Sequence, residues 1–226
     1  IDEAIMKKAL SLLSQRFAVL RTSIFHEKLD KPRQIVLRKR DPEYISYDFS
    51  DDPTDVAEEK YSNVLKNDVV RGFDLKKDTL LRVIYIKMGN VSKLVFTMHH
   101  IIIDGWCISI LFDKFLSYYN ALLKGKPFSS VEKEMLNEKD QQSEYSEYVS
   151  WITKQDKKSA MNYWHELLAD YESNCDIKPM MKPEASNEQM SRISVSIDED
   201  TTMILKNIAE RNECTLNTLA ETALGV

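Results

Sequence analysis

The sequence predicts an α/β fold, a two-layer sandwich in which helices cover a mixed sheet. Short β-branched and aromatic runs at residues 34–37, 44–49, 81–88 and 91–99 are interleaved with amphipathic segments of helical period. Their irregular order argues for a mixed sheet over a regular parallel array. With 43% hydrophobic and 30% charged residues, the 226-residue chain has the composition of an ordinary globular protein with a large core.

The elements follow in order. Ile5, Ala9, Leu12, Leu13, Val19 and Leu20 recur at helical spacing and predict a helix over 5–20. Arg16 falls inside that stripe, because 100° per residue points it the same way as Ile5, Ala9, Leu12 and Leu20. A buried guanidinium keeps its charge and needs a buried carboxylate, unless its stem snorkels to water. Strands are expected at 21–25, 34–37 and 44–49. Residues 81–88 and 91–99 flank Gly89-Asn90, a two-residue hairpin signal, since both residues tolerate the positive φ of tight turns. Helical patterns cover 54–67, 105–123, 143–154, 159–171, 199–211 and 216–224. Residues 124–142 and 172–189 read as connectors within a single domain, and 192–197, with alternating Ile193, Val195 and Ile197, as a strand.

Charge and cysteine content narrow the function. The 31 basic and 36 acidic residues give a net charge of −5, without the basic field that nucleic acid or an anionic membrane attracts. Cys107, Cys175 and Cys214 are odd in number and far apart, so neither a disulfide framework nor a zinc site is expected, and a cytoplasmic setting fits. No apolar run is long enough to span a bilayer, and no secretory leader is visible. The chain starts on Ile1 inside one helical pattern and stops at Val226 just after another, so a fragment of a longer polypeptide is expected.

The stretch of greatest chemical interest is MHHIIIDGW, residues 98–106. It places His99 and His100 where a strand ends and Asp104-Gly105 where a helix begins. His100 and Asp104 are four apart, but Ile101-Ile102-Ile103 disfavours a helix, and no further metal ligand lies nearby. Cys107 with His100 as base is a second option, although a buried Cys is more often a small hydrophobe. A third reading makes both histidines satisfied core residues. In the fourth, Asp104 caps the helix from Gly105, whose free N–H groups steady a developing oxyanion. An imidazole on the preceding strand then handles the proton of a nucleophile attacking a carbonyl.

HHxxxDG, from His99 through Gly105, resembles the motif of the chloramphenicol-acetyltransferase-like superfamily. Other stretches resemble the condensation domains of nonribosomal peptide synthetases within it. Residues 16–24 are similar to RHExLRTxF, with Phe17 and Ala18 in place of His and Glu, and Ile24 in place of the final Phe. Residues 145–151, YSEYVSW, are similar to YxDYAxW with Glu147 for Asp. Phe73-Asp74-Leu75, Tyr163-Trp164 and Thr215-Leu216-Asn217-Thr218 are further landmarks in order. Trp106-Cys107 resembles the DGWS of condensation types, and neither the epimerisation nor the cyclisation subtype fits.

The resemblance implies a chloramphenicol-acetyltransferase-like lobe, the N-terminal one of two. It implies joining an acyl or peptidyl thioester on one carrier protein to the amine of an aminoacyl thioester on the next. Both substrates arrive on phosphopantetheine arms, so no intrinsic cofactor or metal is implied. The expected partners are peptidyl and acyl carrier proteins, the missing C-terminal lobe, and adenylation domains of the same assembly line. The alternatives are a stand-alone acyltransferase using acyl-CoA and a non-catalytic lobe that docks carriers. His100 is the implied catalytic residue, Gly105 lets the thioester approach the backbone, and His99 is assigned to structure. Three further expectations follow. The strand ending at His99 neighbours strand 21–25, Arg16 pairs with Asp104, with Arg21 the rival partner that could instead face water from the start of a strand, and the fragment alone does not catalyse condensation.

Overall fold

The computed structural model describes residues 1–140, 143, 145–172 and 194–225, which form two compact units, Ile1–Asp156 and Lys157–Val226. The α/β architecture of a mixed sheet covered by helices is observed in the first. Its three strands run in the order β3 (Glu43–Asp48), β4 (Leu81–Met88), β5 (Val91–Met98). β3 is parallel to β4, and β4 is antiparallel to β5. Gly89 takes φ +55 in the connecting turn while Asn90 does not take a positive φ, the pattern of a type II′ hairpin.

β4 is the buried centre, and its side chains divide by parity. Leu81 and Val83 join the main core, which includes Met6, Leu10 and Leu13 of α1 (Glu3–Arg16) and Leu111 and Phe115 of α3 (Gly105–Leu123). Ile84, Ile86 and Met88 pack with Ala57 of α2 (Thr54–Arg71) in a second cluster. Helices therefore lie against both faces of β4.

Several expectations need correction. The helix expected over 5–20 stops at Arg16, where Phe17 turns extended (φ −106, ψ 105), and Ala18–Arg21 form a 3₁₀ turn. Arg21 does not face water. Its guanidinium donates to the carbonyls of Ser14 and Gln15 at the C-terminus of α1, and its Nε donates to the Leu37 carbonyl at 2.9 Å. These carbonyls have no helical partner of their own, and the positive charge suits the negative end of the helix.

The neighbour expected for the strand ending at His99 is also wrong. β1 (Thr22–Phe25) pairs antiparallel with β2 (Arg33–Val36) in a separate two-stranded sheet. The Ile24 N–H donates to the Leu75 carbonyl at 2.8 Å, and the His99 N–H to the Leu80 carbonyl at 3.0 Å. Arg40 ties β1 to this loop by donating to Ser23 Oγ at 2.8 Å and to the Lys77 carbonyl at 2.7 Å.

Residues 124–142 are not a plain connector, since Phe128–Asp140 form α4. Val131 and Met135 of α4 are core residues, with Phe128 packed against the core, an i, i+3, i+7 stripe set among polar residues. Of the connector expected at 172–189, residues 173–189 lie outside the described residues. Residues 194–197 of the expected strand pair with nothing among the described residues, and Val195 and Ile197 are exposed. Among the described residues, alternation there meets no neighbouring ladder to bond with. Residues 192 and 193 also lie outside the described set.

Residues 145–153 form α5 (Tyr145–Thr153). The second unit contains α6 (Lys157–Leu167), α7 (Glu199–Arg211) and α8 (Leu216–Gly225). The Asp198 side chain caps α7 by accepting from the Thr201 N–H at 2.8 Å.

Candidate active site

β5 ends at Met98, and the chain leaves it through a turn that treats the two histidines differently. His99 is half-buried, and its Nδ1 accepts from the Ile101 N–H at 3.0 Å while its carbonyl accepts from the Ile102 N–H at 3.2 Å. The Nδ1 lone pair is thereby taken up by the backbone of the same turn. The Phe73 ring meets the imidazole edge-on, with centroids 6.1 Å apart. His100 is exposed and lines a cleft of about 520 Å³ together with Arg16, Asp104 and Cys107. That volume falls within the range of small-molecule sites.

Asp104 (φ −109, ψ 176) caps α3 by accepting from the Cys107 N–H at 3.0 Å. The Cys107 thiol and then its backbone N–H hold this carboxyl below the usual range, with a smaller pull from His100. In return the Asp104 carboxylate pushes the Cys107 thiol up, which disfavours the thiolate and with it a Cys107 nucleophile. A Cβ built on Gly105 would meet nothing within 4 Å, and its φ is not positive. The chain itself therefore does not require glycine there.

The expected ion pair between Arg16 and Asp104 is not formed. Arg16 is buried, as the helical stripe predicted, but its guanidinium lies over the Phe17 ring at 5.3 Å. It also acts on Tyr118, whose hydroxyl is pushed up to about 12 by burial and then by Glu138, against a lowering from Arg16. Asp104 is exposed and already used by the first turn of α3, so among the described residues no ion pair joins the two. Both still border the same cleft.

A third buried cation, beside Arg16 and Arg21, was not anticipated from the sequence. Arg82 on β4 is fully buried and pairs with Asp68 of α2, and with Glu43 Oε2 of β3 at 3.2 Å. It also donates to the Gly72 carbonyl at 2.8 Å. The available signal was a charge inside the apolar run Leu81–Ile86. Among the described residues no group of three or more His, Cys, Asp or Glu side chains is placed to hold a metal. No helix among them is long and apolar enough to cross a membrane.

An exposed imidazole beside a capped helix N-terminus, on a mixed sheet covered by helices, is an arrangement suited to acyl transfer. The chain belongs to the condensation-domain family, whose model matches residues 1–226. It is 32% identical over 227 residues to tyrocidine synthase 2 of Brevibacillus parabrevis, covering 100% of this chain and 6% of that protein. To bacitracin synthase 3 of Bacillus licheniformis it is 30% identical over 228 residues, covering 100% of this chain and 3% of that protein. The chain thus spans only a small part of these curated relatives. Its fold is similar to the starter condensation domain of rhizomide synthetase, with a TM-score of 0.60 at 15% identity, covering 76% of this chain and 40% of that one.

Proposed function

We propose that these residues form the N-terminal lobe of a condensation domain that makes peptide bonds in nonribosomal peptide synthesis, with His100 at the reacting centre. The carrying observation is His100, exposed in the cleft next to the Asp104-capped start of α3. In the reaction the amine of an aminoacyl thioester attacks the carbonyl of an acyl or peptidyl thioester. The C–N bond forms, the C–S bond breaks, and the amine proton passes to the departing thiolate. An α-amine has a pKa near about 8 and is partly neutral already, so His100 need only remove or orient one proton. The helix N-terminus steadies the oxyanion, and the open backbone at Gly105 gives the thioester room to approach it. His99, Asp104 and Arg16 shape the site.

Both substrates ride on phosphopantetheine arms of partner carrier proteins, so no cofactor or metal of the chain's own enters these steps. Adenylation domains of the same cytoplasmic assembly line load those carriers. A second lobe completes the cleft, a reading supported by the alignment to 40% of a solved condensation-domain chain. The fragment alone is then inactive.

The test is amide formation between carrier-bound substrates by the polypeptide that continues this chain naturally, with and without His100→Ala. A loss of about 10²-fold or more is expected for a proton-handling group. An unchanged rate would sink the assignment, while turnover of acyl-CoA without carriers would favour the stand-alone acyltransferase.

A further inference from the structure

Arg82 is a costly residue at the centre of a sheet. Its guanidinium cannot shed its charge, and a buried ion pair often stabilises no better than well-packed apolar side chains. Its surroundings point beyond a simple tie between α2 and β4. Arg82 lies over the Phe73 ring at 4.6 Å, and Phe73 sets its ring against His99. Gly72, at φ +58, ends α2 and turns the chain so that Phe73 follows directly, while its carbonyl accepts from Arg82. Asp68 binds Arg82 through one carboxylate oxygen and through the other accepts from Thr97 Oγ1 at 2.6 Å. Thr97 stands two residues before His99. One buried carboxylate therefore fixes both the strand that delivers the histidines and the cation that holds Phe73.

We propose that Phe73, clamped by Arg82 and Asp68, is a positioning residue that holds the His99 imidazole on the Ile101 N–H and so sets the turn from which His100 projects. The proposal rests on the assignment of His100 to the reacting centre and adds a support lying outside HHxxxDG. Without the Phe73 ring, His99 is free to turn about its side-chain torsions. Its Nδ1 then leaves the Ile101 amide, and the 99–102 turn loses one of the two hydrogen bonds that shape it. A misplacement of about 1 Å at a reacting group can cost on the order of 10²-fold in rate.

The test compares Phe73→Leu with Phe73→Tyr, which keeps the aromatic ring. In the 226-residue chain labelled with ¹⁵N, the Ile101 amide and His99 Nδ1 resonances report the hydrogen bond directly. Phe73→Leu is expected to shift both in a chain that remains folded by circular dichroism, and Phe73→Tyr to restore them. In the polypeptide that continues this chain, Phe73→Leu should lower kcat by about tenfold or more, with KM changed less than about twofold. Unmoved resonances in Phe73→Leu would overturn the proposal, as would an unchanged kcat. If Phe73→Leu does not fold, Arg82→Lys carries the same readout, because it keeps the charge but loses the planar fork and the face against Phe73. If His100→Ala retains activity, the functional reading fails, yet the resonances still decide whether Phe73 holds His99.

Discussion

Nη1 of Arg21 donates to the Gln15 carbonyl at 3.1 Å, so α1 ends on a buried guanidinium supplied from five residues beyond its last turn. Arg21→Met would leave the Ser14, Gln15 and Leu37 carbonyls without this donor. Urea denaturation should show a loss of about 2 to 3 kcal/mol, the scale of hydrogen bonds to a charged group. Arg21→Lys should recover part of it. A change under about 0.5 kcal/mol would mean that water replaces the cap.

Met135 has no exposed surface and lies in the core, although its segment is rich in charge. Met135→Ala should cost about 2 to 5 kcal/mol in the same measurement, as other large-to-small core changes do. A solvated connector would show almost nothing.

Arg16 and Asp104 border one cleft without forming an ion pair. With no hydrogen bond or ion pair between them, the losses from Arg16→Ala and Asp104→Ala should add to within about 0.5 kcal/mol in the double variant. A double variant clearly more stable than the sum predicts would reveal a coupling absent from this conformation.

Acid should weaken the caps of α3 and α7. The carboxyls of Asp104 and Asp198 are held below the ordinary value of 3.8, Asp104 chiefly by Cys107 and Asp198 by the Thr201 backbone and then its side chain. Groups depressed on folding stabilise the fold above that value, and the stabilisation is lost as pH falls through the folded pKa. Melting temperature should drop as pH goes below about 4, and Asp198→Asn should make that drop shallower. An unchanged slope would contradict the assignment.

The thiol of Cys107 should alkylate slowly near neutral pH despite its exposure, because Asp104 disfavours its thiolate. Asp104→Asn should speed the reaction, followed by mass spectrometry at that residue. Equal rates would show that the carboxylate does not govern the thiol.

Helices α3 and α7 were legible to the residue, from the helical pattern of 105–123 and 199–211, and Asp104 announced the start of α3 by a chemistry local to its first turn. The β4–β5 hairpin was legible for the same reason, through Gly89-Asn90 and alternation on either side. Helix α4 was not, since four apolar positions among charges, Phe128, Val131, Met135 and the exposed Leu136, resemble a polar linker until a core exists to receive three of them. Strand neighbours were not, because alternation states that a face is buried and not which ladder lies beside it. Burial of Arg16 followed from its place in the stripe. Its surroundings did not, because a helical period gives a direction and no distance. Asp68 stands 14 residues before Arg82, and only the fold brings them together.

The turn at Gly89-Asn90 also decides which histidine is which. The hairpin register runs from Met88 opposite Val91 to Leu81 opposite Met98, and His99 follows at once. One residue inserted in the turn would slip β5 by a single step, and with a side-chain period of two every β5 side chain would change face. Thr97 would leave Asp68, and Phe96 would leave Phe112 and Phe115. His99 would move to the position from which His100 now opens to the cleft, and Met98 would take the place against Phe73 that His99 now holds. Two identical side chains, adjacent in sequence, are told apart by odd and even counting from a loop roughly 26 Å away along the strand.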